Sequence, residues 1–169
     1  MSAEWTVLLL LSALVALNSI AVIVLIRRQR GTTDPELPRG PLVGARFDVG
    51  TPIGELAAGA SRVVFCFVSP QCGHCREMLP EFVRVSQRER VVLVCSVPRS
   101  ELDAHLAEQG IDLPVVSGPD VFDANDVPGP PYAVVTNAGG VVLAQSGANR
   151  PAQLTALLDL ADALQGQDP

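Results

Sequence analysis

The chain has 169 residues, 48% of them apolar, and it carries 18 acidic against 12 basic side chains, a formal net charge of −6. From residue 31 onward there are nine Arg against seventeen Asp and Glu, a net charge of −8. This balance argues against nucleic-acid binding, which needs a basic surface. Four Cys are too few for a small domain that is held together by disulfides.

The first predicted element is an uncharged apolar stretch of 22 residues from Trp5 to Ile26. A helix of this length crosses a hydrocarbon layer of ~30 Å. A cleavable signal peptide would need a basic start, a shorter apolar run and a small-residue cleavage site. Glu4 and the arginines that begin at Arg27 disfavour that alternative. We therefore predict one transmembrane anchor within residues 1–30, a tether over 31–40 that contains Pro and Gly, and a domain over 41–169.

The domain alternates strand and helix patterns. Residues 62–68 and 91–97 are apolar on both faces, which predicts central strands. Residues 73–88, 101–109 and 153–164 are predicted as helices. Residues 132–136 and 141–144 flank an Asn-Ala-Gly-Gly turn and predict a hairpin. Strand–helix–strand units imply parallel pairing and the hairpin adds antiparallel strands, so the predicted fold is α/β, with a mixed sheet flanked by helices.

A dithiol follows the first predicted strand. Cys72 and Cys75 come after a three-residue turn, so they open the next helix. The positive end of the helix dipole favours a thiolate there, which makes Cys72 the nucleophile, and Cys75 one turn later resolves the mixed disulfide. This chemistry needs no cofactor besides the redox-active disulfide Cys72–Cys75. Gly73 and His74 lie between the cysteines, and a partly protonated His74 would make the disulfide more oxidising; a solvent-facing imidazole with little effect is the alternative.

A metal site and two inert thiols are the competing interpretations of this pair. Zinc needs four ligands, and the sequence has no second C-x-x-C and no H-x₃₋₅-H, so no metal is predicted. Cys66 and Cys95 are predicted to be small buried hydrophobes. Their strands are candidates for neighbours, so a second disulfide between them stays open.

The strand that leads into Cys72–Cys75, the later Pro80 and the segment 127–132 (VPGPPY) resemble the thioredoxin superfamily over roughly residues 40–165. The resemblance implies a thioredoxin-like fold. It makes Pro131 a cis proline and places Pro130, Pro131 and Tyr132 in a loop that faces the dithiol and the substrate. An ordinary proline-rich loop is the alternative.

Three positions depart from thioredoxins proper. Gln71 stands where they carry Trp, and His74 stands where they carry Pro. Cys66 stands where they bury an acid that assists proton transfer to the resolving cysteine, so that step is in doubt here or uses water.

The single anchor and short tether resemble the membrane-bound bacterial thioredoxins of cytochrome and cofactor maturation, the TlpA- and ResA-like proteins. Residues 67–72, 131–135 and 147–150 are similar to the accessory protein of methylamine dehydrogenase maturation (MauD-type). These resemblances imply a thiol–disulfide oxidoreductase that acts on protein thiols and disulfides and is recharged by a redox partner. A redox-inactive binding scaffold and a thiol peroxidase are the alternatives. The dithiol argues against the scaffold, and a peroxidase would use a lone cysteine in a Thr/Pro-rich loop.

The two indications of membrane orientation disagree. Arginines follow the apolar stretch, and the positive-inside rule would place the domain in the cytoplasm. The family resemblance places it outside. We predict a single-pass protein of the cell membrane with an extracytoplasmic domain, with the cytoplasmic alternative left open.

Overall fold

The computed structural model describes residues 40–165. The predicted anchor and nearly all of the predicted tether lie outside the described residues, and both stay predictions. Between residues 40 and 165, no helix combines the length and the apolar character that a bilayer crossing requires.

The domain is built around a five-stranded mixed sheet with the strand order β3-β2-β1-β4-β5. Strands β1, β2 and β3 are parallel to one another, and β4 is antiparallel to both β1 and β5. The elements in chain order are α1 (Ile53–Ala57), β1 (Arg62–Phe67), α2 (Gly73–Ser86), β2 (Arg90–Cys95), α3 (Arg99–Glu108), β3 (Val115–Ser117), a 3₁₀ helix (Asp123–Asn125), β4 (Tyr132–Asn137), β5 (Val142–Gly147) and α4 (Pro151–Gln165).

The predicted strands, helices and hairpin are all confirmed, with shifts of a few residues at their ends. Three short elements were not predicted: α1, β3 and the 3₁₀ helix. Each has only three to five residues, which is too short to show a helical or alternating apolar period. The fold is therefore the predicted α/β fold with one additional parallel strand at the edge of the sheet.

Each face of the sheet has its own core. Apolar side chains of α2, α3 and α4 pack on one face. The other face is covered by α1, by the aromatic ring of Phe47 and by apolar residues around the 3₁₀ helix. Strands β1 and β2 are almost fully buried because they lie between the two cores.

Strands β1, β2 and β5 run in the same direction and are followed by α2, α3 and α4, respectively. All three helices therefore begin at one end of the sheet. We call this the dithiol end; it contains Phe67, Cys95, Tyr132 and Gly147, the strand residues at that edge.

An ion-pair cluster ties the opposite end together. The Arg62 guanidinium, whose side chain is 11% exposed, pairs with Glu89 at 2.5 Å and also with Asp162. Glu89 precedes β2 and Asp162 lies on α4, so Arg62 connects the start of β1 to the start of β2 and to α4. Hydrogen bonding to Glu89 raises the pKa of Arg62, and the group stays charged at every physiological pH.

Candidate active site

The dithiol lies where β1 passes into α2. Cys72 is the N-cap residue of α2, with extended backbone angles, and its Sγ accepts a hydrogen bond from the Cys75 backbone N–H at 3.3 Å. The Cys72 N–H donates to the Ser69 carbonyl at 3.1 Å, which closes the turn before the helix. A helix N–H directed at a sulfur stabilises the thiolate more than the thiol. The sequence prediction that both cysteines open a helix is confirmed.

The two sulfurs differ in burial. Cys72 is partly exposed, whereas Cys75 is 2% exposed and belongs to the core beneath α2. Burial raises the pKa of Cys75 to about 12, with Cys72 adding to the effect and a backbone hydrogen bond from Ser69 opposing it. Cys75 is therefore a protonated thiol near neutral pH, and Cys72 is the sulfur that an external disulfide can reach. All four cysteines are free thiols in this structure.

The proline loop before β4 faces the dithiol. The Pro130–Pro131 peptide bond is cis, as the resemblance implied. The Cys72 thiol donates to the Pro130 carbonyl at a sulfur–oxygen distance of 3.7 Å. The Pro131 carbonyl accepts from the Ala148 N–H at 3.0 Å, which ties the loop to the segment before α4. The loop thus places a backbone carbonyl beside the accessible sulfur, while its contact with substrate stays a prediction.

Tyr132 does not present its side chain to the dithiol. It is 5% exposed and packs in the core on the opposite face of the sheet from Cys75. Its hydroxyl lies next to Gly40 and Gln145. Successive residues of a strand point to opposite faces of the sheet. The side chain of Tyr132, the first residue of β4, is directed into this core. Only the backbone of Tyr132 belongs to the loop that was predicted to face the substrate.

His74 projects from the first turn of α2 toward solvent. Its side chain is 69% exposed, and its Nδ1 lies 3.3 Å from Glu77 Oε2. A Cβ added at Gly73 would meet nothing within 4 Å, so packing does not require glycine there. The His74 imidazole is therefore solvent-facing, and its effect on the dithiol stays a prediction.

Cys66 and Cys95 are buried in the same core as Cys75. Burial raises the pKa of both thiols. Cys66 is paired with Leu93 in the parallel register, so Cys95 is offset by two residues. With strands ~4.8 Å apart and a rise of ~3.3 Å per residue, their Cα atoms are ~8 Å apart. A disulfide requires less than ~7 Å, so the second disulfide that the sequence left open does not fit this sheet.

Two loops border the site, the turn before Cys72 and the proline loop, and the residues that shape them could not be identified from the sequence. The Ser69 hydroxyl donates to Gln71 Oε1 at 2.7 Å, within the turn before Cys72. Asn125 makes three side-chain hydrogen bonds to backbone groups upstream of the proline loop. A Ser-x-Gln turn is a weak signal, and a partner 77 residues away leaves no local signal. Among residues 40–165, no group of three or more His, Cys, Asp and Glu side chains is arranged to hold a metal ion.

Comparison with known proteins establishes the fold. No protein-family model and no curated protein matches the sequence. A thiol:disulfide interchange protein, DsbE, from Chlorobium tepidum has a similar structure, with a TM-score of 0.59 and 22% identity over 76% of this chain and 99% of that one. A thiol-disulfide isomerase from Corynebacterium glutamicum gives a TM-score of 0.58 and 15% identity over 76% and 95%. A thioredoxin-like superfamily protein gives 0.54 and 18% over 77% and 97%. The domain therefore has the thioredoxin-like fold that the family resemblance implied.

Proposed function

We propose that this protein is a membrane-tethered thiol–disulfide oxidoreductase whose Cys72-Gly73-His74-Cys75 dithiol exchanges disulfides with protein substrates. The observation that carries the proposal is the asymmetry of the two sulfurs. Cys72 is accessible, accepts a hydrogen bond from a helix N–H and lies beside the Pro130 carbonyl. Cys75, one helical turn later, is buried. This arrangement separates an attacking sulfur from a resolving sulfur.

The reaction proceeds in two exchanges. The Cys72 thiolate attacks one sulfur of a substrate disulfide, a mixed disulfide forms, and the other substrate sulfur leaves as a thiolate. Cys75 then gives its proton to water and attacks Cys72 Sγ, which forms the Cys72–Cys75 disulfide and releases the second substrate thiolate. Two electrons pass from the dithiol to the substrate. The same steps in reverse oxidise a substrate dithiol, so the redox state of the recharging partner decides the direction.

The proposed location rests on the sequence. The apolar stretch from Trp5 to Ile26 is long enough to cross a bilayer, and the domain follows it after a short tether. We propose an extracytoplasmic domain, although the arginines after the stretch favour the cytoplasm. A fusion of alkaline phosphatase to the C-terminus is expected to be active, because this reporter folds only outside the cytoplasm. If a fluorescent protein fused at the same position fluoresces in the cytoplasm, the proposed location is wrong and the chemistry is unaffected.

Trapping tests the chemistry. In the full chain, Cys75→Ser leaves Cys72 able to attack but removes the sulfur that resolves the product, so mixed disulfides with partner proteins should accumulate. Cys72→Ser should give none, because Cys75 is buried. Cys66→Ser is the matched control, since it also removes one buried thiol of the same core and should give no adduct.

Non-reducing electrophoresis of membranes, followed by mass spectrometry, would identify the adducts. Adducts with Cys75→Ser alone support the proposal. If none form while the protein is present and folded, the oxidoreductase proposal is wrong and the scaffold alternative is favoured. Adducts with Cys72→Ser would reverse the roles of the two cysteines.

A further inference from the structure

The segment between β3 and β4 carries the Pro130 carbonyl that lies beside Cys72. Its last residues before β4 are Pro128, Gly129, Pro130 and Pro131. A proline has no backbone N–H, so three of these four residues cannot donate a backbone hydrogen bond. The position of the Pro130 carbonyl therefore depends on how the two ends of the segment are held.

The downstream end is held at Pro131, whose carbonyl accepts the Ala148 N–H. The upstream end is held by Asn125, which is 5% exposed. Its Oδ1 accepts the Asp48 N–H at 3.0 Å. Its Nδ2 donates to the Asp48 carbonyl and, at 2.9 Å, to the Val121 carbonyl. One side chain thus satisfies three backbone groups and joins the segment to a part of the chain 77 residues away.

The restraint continues from Asn125 toward the prolines. Asp126 adopts a left-handed backbone conformation with φ of +52°, which turns the chain, and the Val127 N–H donates to the Phe122 carbonyl at 2.9 Å. The Phe122 ring packs edge-on against Phe67, the last residue of β1, at a centroid distance of 4.9 Å. The upstream end of the proline loop is therefore fixed to the strand that delivers the dithiol.

We propose that Asn125 is a positioning residue of the dithiol site. Its three backbone hydrogen bonds fix the start of the proline loop and so hold the Pro130 carbonyl next to Cys72. This inference rests on the proposed function. Because the Pro130 carbonyl lies 3.7 Å from Cys72 Sγ, a peptide that brings its disulfide to Cys72 would also meet the proline loop. A small alkylating reagent needs only the accessible sulfur.

The test compares two reactions of the reduced full-length protein in detergent: reduction of a disulfide-bonded peptide of about ten residues, and alkylation of Cys72 by iodoacetamide. Asn125→Ala should lower kcat/KM for the peptide by about 10- to 100-fold, because small displacements of a binding group have effects of this size. The alkylation rate should change less than about twofold.

Asn137→Ala is the matched control. The Asn137 side chain also bonds a backbone group, since it accepts the Val141 N–H at 2.9 Å. Asn137 lies at the opposite end of the sheet, where it is the register partner of Arg62 between β4 and β1. This variant should keep both rates. If Asn125→Ala does not fold, Asn125→Ser takes its place, because its hydroxyl keeps a neutral hydrogen-bonding group in the site but is too short to reach all three backbone partners.

The outcomes distinguish the two proposals. A selective loss of peptide reduction in the Asn125 variant supports the positioning role. Equal losses of peptide reduction and alkylation, or equal behaviour of the Asn125 and Asn137 variants, would overturn it. If the unchanged protein alkylates at Cys72 but reduces no peptide disulfide, the proposed function itself is wrong.

Discussion

Replacing Gly40 with alanine would test how the segment before α1 is joined to the sheet, because Gly40 lies beside Tyr132 of β4 and Gln145 of β5. Gly40 has φ of +147°, and an added Cβ would overlap the Tyr132 hydroxyl and lie 2.5 Å from Gln145 Oε1. The backbone conformation alone costs a non-glycine residue about 1–3 kcal/mol. Displacing the two neighbours adds about 1–3 kcal/mol, a typical cost of overpacking.

Gly44→Ala is the control that separates these two contributions. Gly44 also has a positive φ, +85°, but a Cβ there would meet nothing within 4 Å. In urea unfolding, Gly40→Ala should therefore cost about 1–3 kcal/mol more than Gly44→Ala. Adding Tyr132→Phe should recover part of the difference, because it removes the hydroxyl that the Cβ would meet.

A second assay reports on the same contact through the titration of Tyr132. Tyr132 is the only tyrosine of the chain, so the ultraviolet absorbance of tyrosinate belongs to it alone. Burial raises the pKa of Tyr132 to about 12. If Gly40→Ala pushes the backbone at residue 40 off the sheet, Tyr132 becomes hydrated and its pKa should fall toward the ordinary value of about 10. Equal stabilities of the two alanine variants, together with an unchanged Tyr132 titration, would refute the proposed packing.

Three further predictions concern charge and burial. Iodoacetamide near neutral pH should label Cys72 first and Cys75 slowly, because burial raises the pKa of Cys75 to about 12; equal labelling in a peptide map would contradict the assigned roles. Burial keeps the Cys66 thiol protonated in the folded state, whereas an unfolded thiol loses its proton above about pH 8.5. Stability should therefore fall above that pH by up to about 1.4 kcal/mol per pH unit for this thiol, and Cys66→Ala should flatten the dependence of urea unfolding on pH by the same amount. Glu89→Gln should cost about 1.5–3 kcal/mol and Asp162→Asn less than about 1 kcal/mol, because Glu89 is 18% and Asp162 60% exposed; the opposite order in urea unfolding would be evidence against the buried pair.

The features that were predictable from the sequence are the local ones. Cys72 and Cys75 could be placed at the start of a helix because a doubly apolar strand, a short turn and an amphipathic helix follow one another directly. The hairpin was predictable because residues 137–140, Asn-Ala-Gly-Gly, form a typical turn sequence between two strand patterns. The cis proline followed from the family resemblance rather than from any pattern in the residues.

What escaped prediction depends on distant parts of the chain. Strand β3 has three residues after Pro114 and is recognisable only by its pairing with β2. Whether Cys66 and Cys95 meet is decided by the strand register, and a shift of two residues would have reversed the answer. The contact of Tyr132 with Gly40 and the two hydrogen bonds of Asn125 to Asp48 involve residues more than 75 positions away in sequence, so no local pattern could reveal them.

The common starting edge of α2, α3 and α4 makes this domain an electric dipole. Each helix carries roughly half a positive elementary charge at its first turn and the opposite charge at its last, so the three first turns add about +1.5 charges to the dithiol end of the sheet, and the first turn of α2 holds the two cysteines. These helix ends would attract negatively charged groups of an approaching protein and so orient that protein toward the dithiol end. Because the field decays over ~10 Å at 0.1 M salt, the orientation would act only in the final approach.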